Sequence, residues 1–441
     1  MATEVSLRKI SSGLITFYST YSDASDNAEE YDVISIYADL DEQLILKNLV
    51  DIYIDPGTVI NYSGAEPTIY DKDVAVCNIT GGGIIKNSYS GTSKVECIAV
   101  YNSGSRVNIE CLSIEGTGDN SSSVGGACVN VEAAERFSLK CKSISNNYNT
   151  AIIIADCNDY FINIQEVESG KPNTPNAGAP VISIDGSGSV YINSLTCTGY
   201  GSCLKHSGGN LAATIYNINT LLPANETPPT AEPAVIVEEG NSPPELVLYF
   251  NEINNYNSNA GDAVKVTGGN ATLIGNNIYC VNGLSLDLTD DIQSAYIKSD
   301  NIISLTKGIN IDNENDPIVI EANYIEGSNG NDGVVRSATG SNYVLRNAKI
   351  KCTDTSADSV CIYLPDGDEN DQSIEIENLI LVTGNTTSGD TIKRMGSETI
   401  DIKNLGLFVN KGVDQEKIIL LIGTGTGTNE NFKYIISSDI T

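Results

Sequence analysis

The stretch Val264-Lys-Val-Thr-Gly-Gly-Asn-Ala-Thr-Leu-Ile-Gly-Asn276 holds the pattern on which the fold turns. Val264 and Val266 flank Lys265, so alternate side chains point the same way, as in a strand with one buried face. Thr267-Gly-Gly-Asn270 then supplies turn formers. Ala271-Thr-Leu-Ile274 is a second apolar run, and Asn276 follows it by two residues. No helical spacing of apolar residues runs through the segment.

Both halves of this unit recur. The first appears as Ile98-Ala-Val100, Val129-Asn-Val131, Ile152-Ile-Ile154, Ile182-Ser-Ile184, Leu204-Lys-His206 and Val235-Ile-Val237. After Val264 it continues as Leu284-Ser-Leu286, Ile309-Asn-Ile311, Val334-Val-Arg336, Val360-Cys-Ile362, Ile392-Lys-Arg394 and Ile418-Ile-Leu420. The mean interval is about 27 residues, with extremes of 20 and 32. The second run recurs as Ile318-Val-Ile320, Tyr343-Val-Leu345, Ile374-Glu-Ile376 and Ile400-Asp-Ile402, and a third short strand often follows a corner. A single such repeat has no partners for its backbone groups or its inward side chains. Stacking supplies both, because parallel ladder bonds form at about 4.8 Å spacing around one apolar column. The predicted fold is all-β: a right-handed parallel β-helix of about 13–15 rungs, some 65 Å long. Residues 1–30 are expected to form an N-terminal cap or attachment segment and residues 31–441 the β-helix, with Phe432-Lys-Tyr-Ile-Ile436 closing the far end. The Pro-rich stretches Lys171-Pro-Asn-Thr-Pro175 and Pro223 to Pro233 read as corner loops.

The slot two residues beyond the second run is filled by Asn217, Asn276, Asn347, Asn378 and Asn404, and by Cys111 and Cys141 in earlier repeats. Asn tolerates left-handed backbone at a corner, and its amide can bond to the Asn above it, so stacked coils predict a ladder.

Composition narrows the function. The balance of 25 Lys and Arg against 57 Asp and Glu gives a net charge of −32, which repels nucleic acid and anionic lipid and suits cations or neutral glycans. No run approaches the roughly 18 apolar residues of a membrane span, and Met1 to Ile10 lack the apolar core of a signal peptide. The 11 Cys lie mostly inside apolar strand patterns without a CxxC pair. Buried free thiols and a reducing compartment are the expectation.

The segment Leu49-Val-Asp-Ile-Tyr-Ile-Asp-Pro-Gly-Thr-Val-Ile60 resembles the opening rungs of pectin-lyase-like β-helices and of phage tailspikes, and the general pattern covers about residues 31 to 441. The resemblance is to a superfamily that includes polysaccharide lyases, glycoside hydrolases, tailspikes and adhesins. It implies glycan contact along the side of the helix and, in phage proteins, a homotrimer. It does not set an activity. The Arg-rich signature of the lyases and the Asp-Asp and Gly-His-Gly signatures of the polygalacturonases are missing. Asp290-Asp291 lacks the flanking pattern, and no heptad run marks a trimerisation coiled coil. The expectation is a phage-like virion surface or tail protein that binds host surface polysaccharide and contacts other virion proteins. A polysaccharide-degrading tailspike and a cell-surface adhesin are the alternatives.

Catalytic candidates are few. The single histidine, His206, occupies an inward strand position, which argues against Ser/His/Asp chemistry. No zinc-ligand spacing or phosphate loop is present. Outward slots after the first strand hold Glu238, Thr267, Asp287, Asp312 and Ser337. Asp287 and Asp312 are expected on successive rungs, about 4.8 Å apart, with Glu238 about 10 Å from Asp287. Such spacing would suit the carboxyl pairs of glycosidases, near 5 Å or roughly 6.5–9.5 Å. No cofactor is required. Calcium is the one ion approached, through Asp366-Gly-Asp-Glu-Asn-Asp371, which lacks the terminal Glu of an EF-hand and reads as an acidic corner loop. Among 22 Tyr, Tyr191, Tyr249 and Tyr324 are candidates for stacking on sugars.

Overall fold

A computed structural model describes residues 5–89, 95–116, 126–146, 150–169, 179–199, 201–221, 232–240, 242–256, 261–313, 318–328, 333–338, 341–354, 360–364 and 373–383, with backbone strands alone at 392–394, 399–403, 406–409, 419–421, 429–430 and 433–436. Their secondary structure is almost entirely β, with one short helix, Tyr21–Asn27, capped by Thr20. Contacts divide the chain into two compact units, residues 1–216 with 221–226, and residues 217–220 with 227–441.

Each unit is solenoid-like, built of parallel strands that recur coil by coil. In the first unit, Ile34, Ile52, Ile79, Ile109, Leu139, Ile162 and Val190 succeed one another in parallel register. Each is fully or almost fully buried. The parallel stack begins at Val33–Ile36, whose other edge is taken by Val5–Arg8 in antiparallel pairing. Ile15–Tyr18 pairs antiparallel with Val5–Arg8 in turn. In the second unit the same column reads Leu248, Leu273, Ile297, Ile320, Leu345 and Ile376. All six are excluded from solvent. A companion column on the third strand runs Ile253, Ile278, Ile302, Ile325, Ile350 and Leu381. Full burial of such side chains contributes about 1.5–3 kcal/mol each.

The first-strand column agrees with the sequence periodicity at most coils. Ile98, Val129, Ile152 and Ile182 align in the first unit. Val235 and Val264 align in the second. Beyond them the register departs. Val264 pairs with Leu286, not Leu284, and the column continues through Ile309, Val335, Ile362, Ile392 and Ile419. Leu286 and Leu288 are both inward, so Leu284, Leu286 and Leu288 share one parity and alternation alone cannot choose among them. Val334, Val360 and Cys361 are buried alongside the strand residues they precede. That burial hides the starts of their strands.

The corners are held by side chains. Fully buried Asp71 accepts from the backbone N–H groups of Tyr101 (2.7 Å) and Asn102 (3.0 Å) and from the Ser105 hydroxyl (2.7 Å). This ties the Ile98–Val100 and Arg106–Glu110 strands to the preceding coil. All 11 cysteines are free and buried. No described helix is long and apolar enough to cross a membrane.

Candidate functional site

A groove of about 610 Å³ opens on the side of the second unit. Its floor follows from one column of the sheet. Phe250, Gly275, Ser299 and Ala322 succeed one another in register. Three small residues beside one Phe leave a depression along the axis. Gly275 cannot carry a larger side chain as things stand, because a Cβ there would lie 2.4 Å from the Phe250 ring.

One wall is the outward column Tyr249, Ile274, Lys298, Glu321 and Arg346. The Tyr249 ring is 49% exposed, so one aromatic face is open at the end of the groove. Below it the charges are tied together. Glu321 accepts from the Tyr296 hydroxyl at 3.0 Å, and Lys298 and Arg346 approach it at 3.8 and 3.3 Å. Burial, and next the bond to Glu321, raises the Tyr296 phenol above its ordinary value.

The other wall is the asparagine ladder. Asn251 donates to Asn217 (3.4 Å), and Asn276 donates to Asn251 (2.9 Å). Asn323 donates to Asp300 (2.7 Å), and Asn378 donates to Asn347 (3.1 Å). Asn347 and Asn378 have φ of 62° and 54°, the left-handed backbone that Asn tolerates. The sequence reading found Asn217, Asn276, Asn347 and Asn378 but missed Asn251, Asp300 and Asn323. Asn251, Asp300 and Asn323 each lie three residues after the inward Leu248, Ile297 and Ile320, as Asn276 does after Leu273, whereas Asn347 and Asn378 lie two after Leu345 and Ile376. Outward Lys298 and Glu321 end the apolar runs early and conceal that offset. Asn404 lies outside the described residues.

The three acids singled out by spacing do not share one register position, and Asp287 and Asp312 lie on adjacent strands two residues apart in register. The two-residue change in register sets Asp287 against Asn310, which donates to it at 3.0 Å, and Lys265, whose ammonium is 3.3 Å away. Asp312 lies opposite Thr289 instead of Asp287. Glu238 follows Val237, whose column runs through Val266 and Leu288 to Ile311, just before Asp312. Glu238 and Asp312 therefore share a column three strand spacings apart, about 14 Å, beyond the separations of glycosidase carboxyl pairs.

The remaining candidates fall as follows. His206 is fully buried, with Nε2 3.1 Å from the Gly209 carbonyl. Tyr191 is 47% exposed and lies against Phe161 in the first unit, ring centres 5.7 Å apart. The Tyr324 hydroxyl donates to Glu326, with Lys349 over its ring. Only Tyr249 of the three tyrosines lines the groove. Asp366–Asp371 and Lys171–Pro175 lie outside the described residues. Among the described residues, no three His, Cys, Asp or Glu side chains gather to hold a metal ion.

Chemically, the groove offers one apolar ring face, a row of amide donors and acceptors spaced by the strand repeat, and charged groups already paired with one another. Such a surface holds hydroxyl-rich chains by stacking and directional hydrogen bonds. No protein-family model, curated protein or solved structure matches this chain.

Proposed function

We propose that the protein is a right-handed parallel β-helix of a phage-like virion surface or tail, and that the side groove of its second unit binds host surface polysaccharide. The observation that carries the reading is the groove itself: a floor of small residues, Tyr249 open at one end, and asparagine amides along one side. From Tyr249 to Arg346 the wall spans four strand spacings, about 19 Å, a length suited to a chain ligand lying along the axis. Right-handedness accords with the strong preference of parallel crossovers. Eleven buried free thiols suit synthesis in a reducing compartment, as for a virion protein made inside its host. A homotrimer and contacts with other virion proteins belong to the same proposal. Exposed Ile10, Leu14, Ile15 and Phe17 on the N-terminal hairpin support the latter.

The test is binding of the purified chain to immobilised neutral, acidic and amino polysaccharides, with reducing and unsaturated ends measured in the same incubations. Capture without new chain ends is expected. Removing one stacking ring costs about 1–1.5 kcal/mol, so Tyr249→Ala weakens binding roughly tenfold. Binding that survives both Tyr249→Ala and Asn276→Ala would place the ligand elsewhere. Release of chain ends would establish the degrading tailspike instead.

A further inference from the structure

We propose that Cys111 and Cys141 form an axial dithiol that low-molecular-weight disulfides convert to a disulfide joining two successive coils of the first unit. The two residues immediately follow the paired positions Glu110 and Lys140 of adjacent parallel strands. The Cys111 backbone N–H donates to the Lys140 carbonyl at 3.1 Å. In-register neighbours in a parallel sheet stand about 4.8 Å apart, inside the roughly 4.4–6.8 Å between Cα atoms that a disulfide accepts. In-register positions on adjacent parallel strands put the two side chains on the same face of the sheet, so the thiols are axial neighbours.

A second pair shows what singles this one out. Cys97 and Cys128 precede the paired residues Ile98 and Val129, and they too are axial neighbours. Each of those thiols donates to a backbone carbonyl at 3.3 Å, Cys97 to Glu115 and Cys128 to Ser145, and each residue is 1% exposed. Cys111 and Cys141 are 6% exposed and sit at a corner, beside Leu112, which is 40% exposed. The contact of the Cys141 sulfur with the Ser143 carbonyl is longer, 3.7 Å. An attacking reagent reaches the corner pair first.

The exchange balances in two steps. One cysteine of the pair, as thiolate, attacks the small disulfide, forming a mixed disulfide and releasing one small thiol. The other cysteine then attacks the protein sulfur of that mixed disulfide, closing the Cys111–Cys141 bond and expelling the second small thiol. Two protein thiols are oxidised, one small disulfide is reduced, and two protons end on the released thiols. The bond to Cys141 and burial raise the Cys111 thiol well above its ordinary value, so the thiolate is scarce near neutrality and the reaction quickens in alkaline buffer.

The full chain is incubated with oxidised glutathione in mildly alkaline buffer, acid-quenched, unfolded and alkylated, then weighed intact and mapped by proteolysis. The expected result is two of the 11 thiols lost to alkylation, a cross-linked peptide joining Cys111 to Cys141, and Cys97 and Cys128 still alkylated. The cross-link also raises the thermal midpoint, and a reductant reverses the rise. Cys111→Ser and, separately, Cys141→Ala give no cross-linked peptide, and the cysteine left at the corner carries at most a glutathione adduct that a reductant removes. Full alkylation of the treated wild-type chain would overturn the proposal. So would a cross-link between other cysteines, or a glutathione adduct on Cys111 that never closes.

Discussion

Replacing Asp262 with Asn should stabilise the protein at neutral pH and leave it nearly unchanged in acid. Asp262 lies at the corner before the Val264–Cys280 strand, and its Oδ1 accepts from the Leu284 backbone N–H at 2.7 Å. Burial is the main influence and lifts its carboxyl from 3.8 to about 6. The Leu284 bond and the nearby Lys265 and Lys307 pull it back down, while Asp287 pushes it up. Between those two values the folded chain holds a proton that the unfolded chain has released. Stability contributed by this group is therefore complete below about pH 4, falls as pH rises, and is lost above about pH 6. The span corresponds to at most about 3 kcal/mol. Asn keeps an acceptor for Leu284 and carries no charge, so the variant escapes the loss. Urea unfolding followed by far-UV circular dichroism, on both proteins from pH 3.5 to 7.5, reads the effect as a midpoint difference that opens in favour of Asp262→Asn as pH rises. A difference that is constant with pH, or that opens in the opposite direction, would refute the assignment of burial as the dominant influence.

Three other outcomes follow from the packing. Asp71→Ala removes the acceptor of two backbone N–H groups and the Ser105 hydroxyl. At about 1–3 kcal/mol per stranded donor, the loss should reach about 3–5 kcal/mol in denaturant melts. Asn347→Val forces a β-branched residue into left-handed backbone and should cost about 1–2 kcal/mol, whereas Asn347→Gly relieves the strain and loses only the bond from Asn378. Gly275→Leu should lower the melting temperature, because a Cβ at this position would lie 2.4 Å from the Phe250 ring and 2.5 Å from the Phe250 carbonyl oxygen.

The coil architecture was legible because its signal is repeated: apolar alternation, turn formers and a common offset recur many times, and no single ambiguous stretch can erase them. Register within a coil was not equally legible. Three leucines of one parity at 284, 286 and 288 leave a two-residue uncertainty that strand alternation cannot remove. Consecutive apolar residues at Val334-Val335 and Val360-Cys361-Ile362 add one- and two-residue ambiguities. A slip of two keeps every inward side chain inward while moving each outward neighbour to a different partner. For that reason the inward residues were read correctly at 284–288 while the Asp287–Asp312 alignment was not. At Val334-Val-Arg336 a one-residue slip made Arg336 inward and Ser337 outward, whereas Arg336 is exposed and Ser337 buried. The groove asks for still more, since its depth comes from Gly275, Ser299 and Ala322 lying in one column. None of these residue types signals a site by itself.

Stacking also decides what charge such a surface tolerates. Like charges on successive coils would stand about 5 Å apart and repel by roughly 0.8 kcal/mol per pair even in water. A chain of net charge −32 must therefore break up its acidic columns. Beside the groove it does so in two ways. Lys298, Glu321 and Arg346 alternate in sign along one column. In the other, Asp300 is followed by Asn323, whose amide donates to it. Lys298 and Arg346 balance Asp300 and Glu321, so this stretch is close to neutral within a strongly acidic molecule. If the groove binds glycan as proposed, that balance would favour uncharged sugar chains over acidic ones, because an anionic polymer would meet the repulsive field of a strongly acidic chain. Capture of a neutral polysaccharide should then vary little with added salt. A steep loss of binding with ionic strength would mean that a charged ligand occupies the groove.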